Sequence, residues 1–309
     1  MKDYPLNMRY GKSKVHVMKI INPMNDENSK FRDVFDFDVE VLLQGDLESA
    51  YTYGDNTPVV PTDTMKNTCY YIAKKVHFDS TEDYAMDLAD HFLQKYPHID
   101  QVDIKIEQNS WNRINVDGEY HDHCFAFGGN EKHNCHYRAN RNGNSKMKSG
   151  ISYLRVMKAT QSGFEGYPMC DLTTLPPTKD RVFCTDIMTT WTYGDNPPKG
   201  KFQTKNMEIR SNFIKVFSGP PKGGEYSKSV QETMYKMCCT TLKNHPEVDF
   251  IEMTLPNIHH FNFDLTRFGM DNKNEVLFRS DKPSGTIECT VYKDEATKQE
   301  NNTYENYTR

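Results

Sequence analysis

Apolar and polar residues alternate strictly along two segments of the chain, and this pattern predicts strands. Every second residue from Phe35 to Val41 is apolar, and an acidic residue separates each from the next. Residues 102–106 show the same alternation, with valine and isoleucine against aspartate and lysine. A period of two is typical of a strand that buries one face. Both segments are therefore predicted to be strands of a sheet that is covered on one side.

Two other segments have the spacing and the end signals of helices. Residues 81–96 carry an apolar residue every four positions, follow the candidate N-cap Ser80 and end before Pro97. Residues 229–232 have the Ser-x-x-Glu pattern of a capping box, and a helix through Leu242 is predicted from there. Strands and helices in this arrangement predict an α+β fold, with an antiparallel sheet and helices on one face.

Two motifs recur in the same order, which indicates an internal duplication. YTYGDNTP at residues 51–58 returns 140 positions later as WTYGDNPP. YPHIDQVDI at residues 96–104 is echoed 149 positions later by HPEVDFIEM. Because the two matches occur in the same order, chance similarity between turns is the weaker explanation. A repeated unit determines the architecture of a chain.

The duplication divides the chain into two similar halves and a tail. With 309 residues, the chain is long enough for two domains. We expect the first half over residues 1–150 and the second over residues 151–292. Residues 293–309 are polar and mixed in charge, and we expect them to form a flexible C-terminal tail.

The overall composition excludes several classes of protein. A net charge of −5, from 38 Lys+Arg and 43 Asp+Glu, argues against a nucleic-acid binder with a basic face. Aromatic residues make up 12% of the chain, which excludes disorder over most of it. No apolar run is long enough to span a membrane, and the N-terminus lacks a secretory signal, so we expect a soluble intracellular protein. The eight cysteines form no CxxC pair and are expected to be free thiols.

One cluster of histidines and cysteines has the residue types of a metal site. His121, His123, Cys135 and His136 lie within sixteen residues and offer nitrogen and sulfur ligands for zinc. His-x-His on a strand also places two rings on one face when no metal is bound. Because the chain has neither a CxxC nor an HExxH motif, a zinc protein is the less favoured alternative.

A series of motifs along the chain resembles the urate oxidase (uricase) family. Residues 154–167 (LRVMKATQSGFEGY) match the family signature, which leads through residues 173–175 to Arg181. The other matching motifs, in chain order, are residues 10–12, 61–68, 116–123, 229–235 and 255–261. Their order along nearly the whole chain makes the resemblance specific. Ala159 and Leu172 depart from the family pattern, and neither position is assigned to chemistry.

The resemblance implies a fold and an assembly. The family fold is the tunnelling fold (T-fold), and each chain carries two T-fold units in tandem. Four chains assemble into a tunnel-shaped barrel, so a homotetramer with sites between subunits is implied. Lys12, Thr62, Asp63 and His259 would come from one chain, and the remaining site residues would come from its neighbour.

The resemblance also implies a reaction. This is the cofactor-free oxidation of urate by dioxygen to 5-hydroxyisourate, with release of hydrogen peroxide, in purine catabolism. No metal or flavin is implied. Urate is a flat anion edged with carbonyl and N–H groups, which an arginine fork and a glutamine amide are suited to bind. The substrate-binding residues that the resemblance implies are Thr62, Asp63, Phe164, Arg181, Val230, Gln231 and Asn257.

Three residues are implied as catalytic. Lys12 with Thr62 would remove a proton from urate, and His259 would relay it. A lysine can act as a base only where burial and neighbours lower its pKa. Asn257 would hold dioxygen and then the attacking water, and Asp63 would bind the substrate mostly through its backbone N–H.

A non-catalytic purine or pterin binder on the same fold is the main alternative. It would keep Arg181, Gln231 and Phe164 but would lack the proton relay. The presence of Lys12, Thr62 and His259 together argues against it.

The sequence gives two alternative expectations for the cellular compartment of the protein. The family resemblance implies the peroxisome. Residues 306–309 are not a Ser-Lys-Leu-like peroxisomal signal, so the cytoplasm is the alternative.

Overall fold

The secondary structure repeats in the two halves of the chain. The computed structural model describes residues 4, 6–22, 28–299 and 301. The first half contains β1 (Tyr10–Ile21), β2 (Asp33–Gly45), α1 (Glu48–Thr52), α2 (Thr62–Lys75), α3 (Thr81–Lys95), β3 (Ile99–Val116) and β4 (Glu119–Asn140). The second contains β5 (Ser145–Lys158), β6 (Phe183–Tyr193), α4 (Phe202–Ser218), α5 (Val230–Asn244), β7 (Val248–Asn262), a 3₁₀ turn (Thr266–Phe268) and β8 (Leu277–Tyr292). Two strands, a set of helices and two further strands thus occur twice, as the repeated motifs predict.

The strands follow chain order in the sheet. Strands β1 to β4 are neighbours in that order, as are β6 to β8, and β5 continues the order between them. The pairs β1/β2, β2/β3, β3/β4 and β7/β8 are antiparallel. The antiparallel α+β class predicted from the sequence is confirmed. Strands β1 and β8 are the first and last in this order.

The chain forms two compact units. Unit 1 comprises residues 1–150 and 192–206, and unit 2 comprises residues 151–191 and 207–309. The segment 192–206 belongs to unit 1 although it follows β6 in sequence. Two hydrogen bonds hold it there, from Gly200 N to Asp83 Oδ1 at 2.8 Å and from Asn206 Nδ2 to Glu82 Oε1 at 2.8 Å. No sequence pattern indicates this return, because it depends on contacts more than 100 residues apart.

The predicted strand and helix in unit 1 form its core. Phe37, Val39 and Val41 are fully buried on one face of β2. Ser80 caps α3 by accepting a hydrogen bond from Asp83 N at 3.1 Å, and the Tyr84 ring packs 5.2 Å from that of Phe37. Full burial of each such side chain contributes about 1.5–3 kcal/mol.

The predicted capping box of unit 2 is present in a slightly different form. Ser229 accepts a hydrogen bond from Glu232 N at 3.1 Å, as expected for an N-cap. The Glu232 carboxylate accepts from Lys228 N at 3.3 Å, one residue before the capping serine. The helix that begins here, α5, buries Met234, among others, against the sheet.

The beginning of the predicted C-terminal tail is structured. Residues 295–299 form a helical turn, which Asp294 caps by accepting a hydrogen bond from Thr297 N at 2.8 Å. The Thr297 side chain is buried. Residues 302–309 of the predicted tail lie outside the described residues.

All eight cysteines are free thiols, as the sequence predicts. Among the described residues, none of the helices combines the length and the apolar character that crossing a bilayer requires.

A fully buried carboxylate links the helices of unit 1 to its sheet. Glu82 Oε1 accepts hydrogen bonds from Ser149 Oγ at 2.5 Å and Asn206 Nδ2 at 2.8 Å, and it lies 2.8 Å from His133 Nε2. Burial by itself raises the pKa of Glu82. The charge and hydrogen bond of His133 and the hydrogen bond of Ser149 outweigh burial and lower this pKa to about 2. The ionised form of Glu82 therefore stabilises the fold.

Glu82→Gln is expected to lower the free energy of unfolding by about 3 kcal/mol at pH 7. Because the folded-state pKa lies below the ordinary value, the contribution is fully present above about pH 4.5 and decreases as the pH falls toward 2. Denaturant titration of both proteins at several pH values measures the difference, which should be about half as large near pH 3. Glu107→Gln, at an exposed position of β3, is the control. A difference that does not change with pH would contradict the role of the charge.

Candidate active site

Lys12, Thr62 and Asp63 lie close to one another in unit 1. Lys12 is half-buried at a bulge of β1, where the pairing with β2 shifts between Lys12 and Val15. Thr62 and Asp63 are the first two residues of α2. The Asp63 carboxylate has a lowered pKa, caused mainly by its hydrogen bond and ion pair with Lys66 and to a smaller extent by the charge of Lys12. The strand bulge and the helix start are therefore within electrostatic reach of each other.

The start of α2 is arranged to receive an anion through its backbone. The Asp63 carboxylate binds Lys66 Nζ at 2.5 Å and Asn67 Nδ2 at 3.0 Å, so it is turned back onto its own helix. The N-cap position holds Pro61, and none of the described side chains caps the helix. The first N–H groups of a helix have no partner within it, and the helix dipole favours a negative charge there. A flat anion is the kind of group that these N–H donors can bind.

Backbone hydrogen bonds join three segments of unit 2 that are far apart in sequence. They connect residues 161–164 to residues 178–181 and to Ser227, which precedes α5. The bonds are Gly163 N to Ser227 O (3.0 Å), Ser227 N to Gln161 O (2.9 Å), Phe164 N to Thr178 O (2.8 Å), Thr178 N to Phe164 O (3.0 Å) and Arg181 N to Ser162 O (2.8 Å). Phe164, Arg181 and the start of α5 at Val230 are thereby brought to one place.

Arg181 has a buried donor without a partner. Its Nε atom is buried and has no hydrogen-bond partner among the described residues. Burial lowers the pKa of Arg181, and the neighbouring Tyr226 acts in the opposite direction. Leaving a buried donor unsatisfied costs about 1–3 kcal/mol, and more for a charged group. The guanidinium is thus ready for an acceptor that enters from outside.

The half-buried ring of Phe164 lies beside this guanidinium. The Arg181 guanidinium carbon is 5.2 Å from the Phe164 ring centroid. Tyr167 stacks on Phe164, with centroids 4.6 Å apart and an angle of 15° between the rings. A Cβ at the preceding residue, Gly163, would lie 2.1 Å from Tyr226 Oη and 2.9 Å from the backbone oxygen of Thr178, so a larger residue there would require these neighbours to move. Gly163 is a structural requirement of the site that motif reasoning did not single out.

Val230 and Gln231 form the first turn of α5. The Val230 side chain is buried, whereas Gln231 is exposed. As the first residue of the helix, Val230 has an N–H group without an intrahelical acceptor. The exposed amide and this N–H thus lie at the start of the helix that follows Ser227, in the segment that backbone hydrogen bonds join to residues 161–163.

Asn257 and His259 are both half-buried and lie two residues apart on β7. The pairing with β8 shifts between them, and Gly285 is the partner of Asn257. Thr185 Oγ1 donates to Pro256 O at 2.8 Å, so the residue before Asn257 lies beside the start of β6, four residues after Arg181. The His259 ring packs nearly parallel to that of Phe261, 5.7 Å away.

His259 lies in a different unit of the chain from the residues with which the resemblance groups it. That grouping combines His259 with Lys12, Thr62 and Asp63 from one chain. The structure has His259 in unit 2 on the same strand as Asn257, whereas the other three lie in unit 1. Both units belong to one chain, so the grouping by chain stays a prediction.

The histidine and cysteine cluster is not the four-residue set that the sequence suggested. The ligand atoms of His121, His123 and Cys124 lie within 4.8 Å of one another. Cys135 is buried against Met147 Sδ at 3.6 Å, and burial raises its pKa well above the usual range. His136 Nε2 lies instead 3.0 Å from Asp103 Oδ1. Adjacent strand residues face opposite sides, so Cys135 and His136 cannot share one site.

Comparison with known proteins identifies the family of the chain. The model of the uricase family matches residues 8–138 and 147–288. The chain belongs to the uricase family. The first matched range contains Lys12, Thr62 and Asp63, and the second contains the unit 2 residues.

Uricases from distant organisms are similar to the chain along its length. The uricase of Oryctolagus cuniculus is 37% identical over 282 residues, which cover 91% of this chain and 92% of that protein. The uricase of Cyberlindnera jadinii is 37% identical over 300 residues, or 94% and 97% of the two chains. The crystal structure of the Arthrobacter globiformis uricase has a TM-score of 0.83 at 35% identity and covers 94% and 96%.

Proposed function

We propose that the protein is a urate oxidase that oxidises urate with dioxygen to 5-hydroxyisourate and releases hydrogen peroxide. The observation that carries this proposal is the buried, unpartnered Nε of Arg181 beside the half-buried Phe164 ring, in a chain of the uricase family. A guanidinium fork next to an aromatic ring is suited to a flat anion with acceptor groups along its edge. A zinc protein is not supported, because Cys135 and His136 lie away from His121 and His123.

Urate is held on two sides in this proposal. Arg181 and the Gln231 amide bind the edge of the ring system together with the Val230 N–H, while Phe164 stacks on its face. The N–H groups of Thr62 and Asp63 bind the anion from the other side. Two observations support this use of backbone donors. None of the described side chains caps the start of α2, and the Asp63 carboxylate is bound to Lys66.

Lys12 and Thr62 act as the base, and His259 passes the proton on. Removal of a second proton makes urate a better electron donor. Two electrons then pass from urate to dioxygen, which takes up two protons and leaves as hydrogen peroxide. Asn257 holds dioxygen and afterwards the water whose oxygen bonds to the oxidised ring. One urate, one dioxygen and one water thus yield one 5-hydroxyisourate and one peroxide, and no metal or organic cofactor takes part.

A complete site is formed between subunits of a homotetramer in this proposal. One chain contributes Lys12, Thr62, Asp63 and His259, and its neighbour contributes the remaining site residues. An exposed group of large apolar side chains in unit 2 supports association of this kind. The group consists of Phe261, Phe263, Phe268, Met270, Val276 and Phe278.

The test is urate consumption in air by protein treated with a chelator. Loss of the urate ultraviolet band and formation of peroxide are recorded together. A one-to-one ratio that persists with chelator supports a cofactor-free urate oxidase. Binding of urate without consumption would indicate a purine binder instead, and activity only with added metal would contradict the proposed mechanism.

A further inference from the structure

One phenol hydroxyl satisfies both backbone groups of a single distant residue. Tyr10 Oη accepts a hydrogen bond from Val60 N at 2.6 Å and donates one to Val60 O at 3.1 Å. Val60 is 3% exposed, so its backbone groups have little access to water as a substitute partner. Burial raises the pKa of Tyr10, with the Val60 hydrogen bond opposing, so the phenol keeps its proton at neutral pH.

This contact joins the two segments that carry the proposed base. Tyr10 is the first residue of β1 and lies two residues before Lys12. Val60 lies two residues before Thr62, the first residue of α2. The contact thus connects the strand to the start of the helix across 50 positions of sequence.

The backbone between Tyr10 and Lys12 has little room to adjust. A Cβ at Gly11 would lie 1.7 Å from Val41 O, so β1 passes very close to β2 at this point. Other contacts between β1 and α2 lie further along the helix, from Tyr70 Oη to His16 O at 2.9 Å and from Lys19 Nζ to Val76 O at 2.7 Å. Among these three contacts, the hydrogen bonds of the Tyr10 hydroxyl lie nearest to Thr62 in sequence.

We propose that Tyr10 is a positioning residue, which holds Lys12 and Thr62 at their working separation by binding the backbone of Val60. The inference rests on the proposed function, since it concerns the base of that reaction. Proton transfer requires hydrogen-bond distances, and a displacement of about 1 Å can reduce the rate about 10²-fold. Without the hydroxyl, the loop before α2 loses its bond to β1, and Thr62 moves relative to Lys12.

Tyr10→Phe tests this inference, with Tyr84→Phe as the matched control. Tyr84 Oη donates to Cys69 O at 2.9 Å, a buried bond to the middle of the same helix. Both variants remove one buried hydroxyl and are expected to lower the melting temperature. Only Tyr10→Phe is expected to lower kcat/KM for urate, by about 10- to 100-fold. The control should stay within about twofold of the unmodified protein.

A double-mutant cycle with Thr62→Ala separates positioning from general destabilisation. If Tyr10 acts through Thr62, Tyr10→Phe should change kcat/KM less than about twofold in the Thr62→Ala background. An equal fold-change in both backgrounds would overturn the inference. Should Tyr10→Phe fail to fold, Tyr10→His takes its place; its shorter ring ends before the position of the phenol oxygen, so the same loss is expected.

Failure of the inference and failure of the proposed function give different results. An unmodified protein that consumes urate, with a Tyr10→Phe variant of equal kcat/KM, rejects the role of Tyr10 alone. An unmodified protein that binds urate and does not oxidise it rejects both.

Discussion

Lys12→Ala is expected to lower kcat for urate oxidation by about 10²- to 10⁴-fold, the usual contribution of a general base. Lys12 lies at the β1 bulge, close enough to the start of α2 for its charge to act on Asp63. Its removal takes away the proton acceptor, whereas the stacking ring and the guanidinium in unit 2 are unchanged. The loss should therefore appear mainly in kcat. Steady-state kinetics of urate loss, with peroxide measured in parallel, provides the value.

Lys105→Ala is the matched control for this loss. Lys105 is an exposed lysine of the same unit, on β3, and it pairs with Glu40 at 3.3 Å. Exposed pairs of this kind contribute about 0–1 kcal/mol. The control should keep kcat within about twofold. A Lys12→Ala enzyme with unchanged kcat would remove Lys12 from the mechanism.

Arg181→Lys is expected to lower kcat/KM for urate by about 10²-fold and to raise KM. A lysine keeps the positive charge but loses the planar pair of N–H donors, so the effect isolates the geometry of the fork. The buried Nε of Arg181, which has no partner among the described residues, is the donor that substrate is expected to satisfy. Steady-state kinetics together with equilibrium binding of urate without dioxygen measures the change.

Arg155→Lys shows whether the loss is specific to Arg181. Arg155 also lies in unit 2 and forms a two-point pair with Asp186, from Nε to Oδ1 and from Nη2 to Oδ2, both at 2.8 Å. Its replacement should lower stability slightly and leave KM for urate unchanged. Equal KM values for Arg181→Lys and the unmodified enzyme would contradict the assignment of Arg181 to substrate.

The local elements of the fold were predictable because their signals lie within a few residues. The alternation from Phe35 to Val41 appears as the buried face of β2. The serines at positions 80 and 229 cap α3 and α5, as their spacing to Asp83 and Glu232 indicates. Apolar residues recur every two positions in a half-buried strand and every three to four positions in a helix, so both patterns can be recognised from neighbouring residues.

The motifs predicted the candidate site residues, and their grouping by chain stays a prediction. The motifs indicated Phe164, Arg181 and Gln231 together, and backbone hydrogen bonds join the segments that carry Phe164 and Arg181 to the segment before α5. The structure was needed to show that these segments meet, because motif order along a chain contains no information on which distant segments pack together.

The sequence by itself determined the strands, the helices, the duplication and the resemblance to the family, because each depends on local periodicity or on motif order. Only the tertiary structure decided that segment 192–206 joins unit 1 and that Tyr10 binds Val60. It also decided that Arg181 Nε is buried with no partner in the described part of the chain. These features depend on side chains and backbone groups that are tens of residues apart. Their environment is determined by how the elements pack, and packing leaves no periodic pattern along the chain.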